Sequence, residues 1–449
     1  MESDWSNDNM DIKQLSEVLQ QNGVVGAGGA GFPTYAKLDE RAETIILNCA
    51  ECEPLLKLHR QLLEEYAREI VETFHQIGQS VGAKELIIGI KKVYTKTIEA
   101  LKDVITDYPE VRLGLLDEVY PAGDEVVLIY EVTKKVVRPG GLPIETGVAV
   151  FNVETVFNAY KALNEKGPVT EKYVSVVAEV NSPVTVKVPI GVTLDEVVAL
   201  AGGSTIANPV YFVGGPMMGR IGTGDQPVTK TTNAILVLPQ DHYLVNKKRS
   251  DSSIDLKRAA ACCCNCQMCT DLCPRNRLGH PIEPHLFMQA ATFKDIQDPN
   301  IFLNTNFCCS CGLCELYSCF QGLSPRTLIT EYKNGLKANK VPVPKVTAKP
   351  VGPEREYRKI PEERLMARLD LTQYDKEAPM DENERKVKKV KILLSQHIGA
   401  PASPVVKVGD TVKKGQMIAE PGKGLSVAIH STINGTVREI DDKYIIVCA

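Results

Sequence analysis

The chain has 449 residues, enough for about three domains at roughly 150 residues each, so it buries a core without needing disulfides. Hydrophobic residues make up 43% and charged residues 24%, and 52 basic against 56 acidic side chains leave a net charge of -4, the balance of a soluble globular protein. There is no basic excess to neutralise phosphates, so no nucleic-acid binding is expected, and no apolar run approaches the roughly 18 residues of a transmembrane segment. The acidic start Met1-Glu2-Ser3-Asp4 is unlike a signal peptide, which makes the cytoplasm the expected compartment.

In chain order, Ile12, Leu15, Val18 and Leu19 have the spacing of one helix face. A glycine-rich loop occupies 23–31. Thr44-Ile45-Ile46-Leu47 then reads as a buried strand, 55–77 as a helix, Glu85-Leu86-Ile87-Ile88-Gly89-Ile90 as a strand and 95–106 as a helix. Strands alternating with helices predict a mainly parallel sheet. From about 171 to 238 the pieces are short and β-rich, among them Val174-Ser175-Val176-Val177 and Val184-Thr185-Val186-Lys187-Val188, with one helical stretch near 193–201, which predicts a small α+β module. A cysteine-rich segment fills 255–335. Residues 336–388 are Pro-rich and charged, as in a linker with one helix started by Pro361. The last 60 residues, from about 390, read as all-β, with turn residues at Val408-Gly409-Asp410 and Lys413-Lys414-Gly415.

Eleven of the 14 cysteines fall in two twelve-residue windows, 262–273 and 308–319. In a reducing compartment such density marks metal ligands or redox groups rather than disulfides. Cys263, Cys266, Cys269 and Cys273 form C-x2-C-x2-C-x3-C followed by Pro274, the ferredoxin-type 4Fe-4S spacing in which the fourth cysteine serves the neighbouring cluster. Cys308, Cys311, Cys314 and Cys319 supply the second run, with one extra residue before the last cysteine and Phe320 in place of proline. The 34 intervening residues leave room for a helix around 284–293. Cluster one is therefore assigned to Cys263, Cys266, Cys269 and Cys319, and cluster two to Cys308, Cys311, Cys314 and Cys273. Cys262, Cys264 and Cys309 are surplus. Zinc is the alternative, but it normally collects two separated C-x2-C knuckles rather than three cysteines at consecutive x2 gaps. His280 and His285 are expected to pack or hydrogen-bond near the clusters rather than to ligate iron.

Gly26-Ala27-Gly28-Gly29-Ala30-Gly31 satisfies G-x-G-x-x-G, although Val24-Val25 is short for a preceding strand and Phe32-Pro33 interrupts any helix straight after it. The pattern serves either a tight turn or backbone N–H groups turned to an anion such as a phosphate. Asn48-Cys49-Ala50-Glu51-Cys52-Glu53-Pro54 follows a predicted strand, where ligands of parallel sheets sit. Its C-x2-C pair is read as structural, with redox or metal binding as the alternative.

Together with Lys37, Tyr120-Pro121-Ala122-Gly123-Asp124-Glu125 and Asn152-Val153-Glu154-Thr155, these motifs resemble the flavin-binding subunit of complex I and its relatives. Those relatives include the C subunit of the Rnf ion-translocating complex and the cobalamin reductases of propanediol-utilisation microcompartments. The resemblance covers nearly the whole chain. It implies an α/β multidomain protein: a Rossmann-like FMN and NADH domain at 1–165, a β-grasp SLBB domain at 166–240, a ferredoxin-like two-cluster 4Fe-4S domain at 250–335, a linker with a helix at 336–388 and a barrel-sandwich module at 389–449. It also implies that Gly26, Gly28 and Gly31 approach the FMN phosphate, that Lys37 and Asn48 bind it, that Glu51, Gly123, Glu125 and Asn152 line the flavin, and that Phe32 and Glu53 contact NADH.

Gln396-His397-Ile398-Gly399-Ala400-Pro401-Ala402 and Val408-Gly409-Asp410-Thr411-Val412 resemble a module that the Rnf subunit carries before its flavin domain. Here it comes last, as in the cobalamin reductases. The same module is similar to lipoyl carriers, but Lys423 stands in Pro421-Gly422-Lys423-Gly424 without their motif, so its modification is not expected. The implied function is NADH-dependent electron transfer through FMN and two 4Fe-4S clusters. The implied partners are cobalamin or its adenosyltransferase and, inside a bacterial microcompartment, shell proteins. An Rnf-like module delivering electrons to ferredoxin or a membrane complex is one alternative, and a non-catalytic cluster-bearing scaffold is another. Hydride transfer requires no acid–base triad, and no catalytic residue is assigned.

Overall fold

A computed structural model describes residues 10–294 and 297–449; the acidic start at 1–4 lies outside the described residues. The first unit runs α1 (Ile12–Gln21), β1 (Thr44–Cys49), α2 (Leu58–Glu65), α3 (Ala67–Val81), β2 (Glu85–Lys91), α4 (Thr95–Ile105), β3 (Val111–Leu116), β4 (Val119–Tyr120), α5 (Glu125–Thr133), β5 (Val148–Asn152) and α6 (Val153–Asn164). Strands β3, β2, β1 and β5 lie side by side in that order, all parallel. Because β1, β2 and β5 are buried and largely apolar on both faces, each face takes a helical layer. Ile45, Leu47, Ile88, Ile90 and Phe151 pack with Phe74, Leu101 and Val156 of α3, α4 and α6. On the opposite face Ile46, Ile87 and Val150 pack with Leu128 and Ile129 of α5. Helix α5 sits close because Gly89 and Gly114 have no side chain: a Cβ there would lie 2.8 Å from Leu128 Cδ1 and 2.7 Å from Val132 Cγ1.

The expected helix over 55–77 is divided in two. Tyr66, with φ −123° and ψ 37°, separates α2 from α3, and its ring stacks on Phe157 at 4.5 Å. Packing of one aromatic against α6 overrides a continuous apolar period that contains no glycine or proline to mark the break.

Next come β6 (Glu171–Ala178), β7 (Val184–Pro189), α7 (Leu194–Leu200), β8 (Val210–Val213), β9 (Arg220–Gly222) and β10 (Ala234–Leu238). A parallel central pair, β6 and β10, is flanked by antiparallel strands with α7 laid across, as in a β-grasp module. The cysteine-rich segment is a set of helices: α8 (Tyr243–Lys248), α9 (Ser252–Cys262), α10 (Met268–Asp271), α11 (Pro274–Arg277), α12 (Pro284–Phe293), α13 (Asn300–Leu303), α14 (Leu313–Leu316) and α15 (Pro325–Ala338). Helix α12 occupies the stretch expected between the two cysteine runs. Phe287, Met288, Leu328 and Ile329 form its small core.

Residues 336–388 do more than link. Lys349 N donates to Gly279 O at 2.8 Å, and β11 (Ile360–Pro361) pairs antiparallel with β4. Helix α16 (Glu362–Arg368) follows Pro361 as expected, and β12 (Met380–Asp381) extends the β-grasp sheet beside β7. The segment is a strap over three units, held by pairings too short and too distant in sequence to register as periodicity.

The chain ends in two small sheets. One contains β13 (Lys389–Leu393), β15 (Thr411–Val412), β18 (Gly435–Ile440) and β19 (Tyr444–Cys448); the other contains β14 (Ser403–Pro404), β16 (Met417–Glu420) and β17 (Ile429–His430). Val390, Ile392, Ile418 and Val447 share one core with Val176 and Val186 of the β-grasp sheet and Val197 of α7. Lys423 is exposed in the loop between β16 and β17.

The strap is anchored by a buried ion pair between Lys91, at the end of β2, and Glu362; their side chains are 0% and 10% exposed. Burial raises the carboxyl of Glu362 while Lys91 lowers it. Removing one partner leaves the other charge buried and unpaired, a loss of about 3–5 kcal/mol. Glu362→Ala is therefore expected to reduce the opening free energy of β2 by that amount, measured by native-state hydrogen exchange.

Candidate functional site

Parallel strands place the N-termini of their following helices at one edge of the sheet, and a binding crevice forms where the strand order reverses. That point lies here between β1 and β5, where Asn48 and Asn152 are register partners. The N-termini of α2, α5 and α6 meet there, each contributing partial positive charge. The result is a cavity of about 440 Å³.

The glycine loop forms one wall. Val25 bridges to Pro33 and a short turn of 3₁₀ helix follows at Thr34–Lys37, so the loop does not lead into an α-helix, as Phe32-Pro33 predicts. Gly26 and Gly28 line the cavity. Gly29, at φ +68°, borders open space where a Cβ would intrude. Gly31 is not among the lining residues; it faces the β-grasp unit and the C-terminal module, and a Cβ on it would lie 2.9 Å from Thr231 Cγ2 of the first and 3.0 Å from Gln396 O of the second. The close approach of those two units leaves no room for a side chain on the third glycine.

The other expected residues converge on the cavity. Lys37 Nζ donates to Val150 O at 2.9 Å and pairs with Glu125 at 3.3 Å. Asn48 donates to Gly123 O at 3.0 Å, and Asn152 Oδ1 caps α6 by accepting from Thr155 N at 3.3 Å while its amide meets His59 Nε2 at 2.9 Å. Glu51, at φ +37°, accepts from His59 N at 2.8 Å, so its carboxylate holds the start of α2. Phe32 and Glu53 also line the cavity.

Tyr120, Asp124, His59, Thr34, Thr155, Asn233 and Met218 line it too. The sequence reading did not single these out for the site. Tyr120 and Asp124 lay inside a recognised motif, whereas Asn233 and Met218 arrive from the β-grasp unit and carry no local signal. The buried atoms Thr34 Oγ1, His59 Nδ1 and Asn233 Oδ1 have no protein partner among the described residues. Unpaired polar atoms around a cavity of this size fit a polar, phosphate-bearing ligand such as FMN.

Cys52 borders the cavity and Cys49 lies in the core. Burial pushes the Cys52 thiol up to about 12 and that of Cys49 well above its ordinary value. Neither is an activated thiolate, which supports the structural reading of the pair.

The eight cysteines of the two expected ligand runs form two sets. Cys263, Cys266, Cys269 and Cys319 line one small void with His285, whose Nδ1 meets Thr270 Oγ1 at 2.8 Å. Cys273, Cys308, Cys311 and Cys314 lie near one another, and Cys314 also lies near Cys269 of the other set. Four thiols in each set match the donor number of a cubic iron–sulfur cluster. Among the described residues, no three metal-ligating groups converge as the ligands of a single ion would. Cys309 and Cys311 line the large cavity, so the second set abuts it. His280 meets Val137 O at 2.9 Å, a packing role. Cys262 and Cys264 are exposed.

Glu53 joins the β-grasp unit to this site, accepting from Met217 N at 2.9 Å and Met218 N at 3.1 Å. Burial raises its carboxyl to about 7 against the opposing pull of those N–H groups. A raised carboxyl binds its proton more tightly folded than unfolded, so its contribution to stability is complete below about 4.5 and is lost as pH rises to about 7. Thermal melts across that window are expected to fall with rising pH in the wild type and to flatten in Glu53→Gln.

Residues 19–161 match the Nuo51 FMN-binding domain, 173–221 the SLBB domain, 262–324 the 4Fe-4S dicluster domain and 373–448 the RnfC barrel sandwich hybrid domain. Among solved structures, an NAD+-reducing [NiFe]-hydrogenase aligns at a TM-score of 0.49 and 22% identity; the alignment covers 73% of this chain and 63% of that one. The chain is 41% identical over 439 residues to the cobalamin reductase PduS of Salmonella typhimurium, covering 97% of this chain and 96% of that protein. It is 39% identical over 442 residues to the cobalamin reductase PduS of Citrobacter freundii, covering 97% of each. With an FMN-binding domain, a 4Fe-4S dicluster domain and these full-length relatives, the chain is an oxidoreductase and belongs to the PduS cobalamin reductase family.

Proposed function

We propose that the chain uses NADH to reduce a cobalamin, with FMN in the large cavity and one 4Fe-4S cluster on each cysteine set. The observation that carries this reading is the shared wall: Cys309 and Cys311, from the second cysteine run, line the same cavity as the glycine loop. When bound, FMN supplies the conversion of two-electron to one-electron chemistry and the clusters carry single electrons. The chain's own residues bind and orient. Gly26 and Gly28 admit close backbone approach, while Lys37 and three helix N-termini supply the positive potential for a phosphate. Asn48, Gly123, Glu125 and Asn152 would line the flavin, and Glu51 would act by fixing the start of α2. Phe32 and Glu53 would meet the nicotinamide nucleotide at the mouth, where Met218 is 56% exposed.

Cobalamin as acceptor is supported by the names of the two full-length relatives. The resemblance extends the proposal to an adenosyltransferase partner and to a place among microcompartment shell proteins in the cytoplasm. Among the described residues no helix is long and apolar enough to cross a membrane.

Lys37→Met removes a charged hydrogen-bond donor worth about 1.5–3 kcal/mol, so FMN is expected to bind roughly ten- to hundredfold more weakly, measured by flavin fluorescence quenching. Under nitrogen, the flavin-loaded protein with NADH is expected to convert the cob(III)alamin spectrum to that of a reduced form. No conversion alongside fast ferredoxin reduction would replace the acceptor with the Rnf-like one. No NADH-dependent reduction of any acceptor would leave the scaffold reading.

A further inference from the structure

Polar contacts join the segments that carry the second cysteine set to the wall of the large cavity. Tyr120 donates its hydroxyl to Cys311 O at 2.7 Å. Arg275, two residues beyond Cys273, places Nη2 2.8 Å from Asp124 Oδ2, with the two side chains 15% and 12% exposed. The other Asp124 oxygen is already committed, capping α5 by accepting from Val126 N and Val127 N at 3.1 Å. The guanidinium also faces the Cys309 thiol, and its Nε is buried without a protein partner among the described residues. Arg275 therefore spans from a residue in the cavity wall to the loop that carries Cys308 and Cys311.

We propose that Arg275 is a positioning residue for electron transfer: its fixed positive charge, held between the flavin cavity and the Cys273, Cys308, Cys311 and Cys314 set, raises the reduction potential of the cluster bound there. The inference rests on the two-cluster reading. Reduction adds negative charge to a site of low dielectric, so a nearby cation stabilises the reduced form more than the oxidised one. Asp124 opposes this effect from the far side of the guanidinium and, by holding it, fixes where the charge acts. The first set stands beyond Cys314 and Cys269 and should feel the charge less.

The test is an EPR-monitored redox titration of anaerobic full-length protein, comparing wild type with Arg275→Gln, Arg275→Lys and Asp124→Asn. Iron content is measured in each, and the two signals are assigned with Cys319→Ser, which alters the first set alone. The midpoint of the second cluster is expected to move negative in Arg275→Gln, to stay near wild type in Arg275→Lys and to move positive in Asp124→Asn, with smaller shifts at the first cluster. Unchanged midpoints, or shifts of the same sign in Arg275→Gln and Asp124→Asn as a merely loosened interface would give, overturn the inference. Should Arg275→Gln lose its iron, Asp124→Asn decides alone: a positive shift supports the proposal, and no shift or a negative one defeats it. Wild-type protein that binds no iron would instead defeat the two-cluster reading.

Discussion

A parallel sheet offers its helix N-termini at one edge, and electrons cross protein only between sites held close together. Both constraints meet in the contact between the sheet edge at Asn48 and Asn152 and the Cys308–Cys311 loop. Three helix N-termini make the edge attractive to an anion, and the loop closes the cavity from the other side. The cavity is thus a product of two units, and neither the glycine loop nor the cysteine runs define it alone.

The surrounding architecture keeps that contact fixed. The β-grasp unit reaches the cavity through Asn233 and Met218 and is stapled to it by Glu53. The strap at 336–388 crosses Gly279 in the cluster region, pairs with β4 beside Tyr120 and buries Glu362 against Lys91 of β2. These contacts join segments 70 to 271 residues apart, and they make the relative placement of the units a property of the whole chain. Burying a lysine–glutamate pair is a poor way to gain stability but an effective way to specify one arrangement, because misplacing either partner leaves an uncompensated charge.

The parts legible in the sequence were those whose physics is local. Alternating strands and helices gave the parallel sheet, x2 gaps between cysteines gave the two thiol sets, and Phe32-Pro33 correctly argued against a helix directly after the glycine loop. Resemblance added the side chains around the cavity, and ten of those eleven residues line it. Gly31 does not: it packs against Thr231 and Gln396, partners far away in the chain that no local motif reveals. The break at Tyr66, the strap pairings and the roles of Asn233, Met218 and Arg275 depend on partners far away in the chain. No periodicity or spacing encodes them.

The C-terminal module closes on itself in a telling way. Lys389, in its opening strand, is the register partner of Cys448, in its closing strand, so the two ends of the module lie side by side. Domains with adjacent termini tolerate being joined to a chain through either one. The module shares a core with the β-grasp sheet, so its seat is fixed by packing rather than by its covalent connection. Attachment through either end would therefore leave the module free to occupy the same seat against the β-grasp sheet.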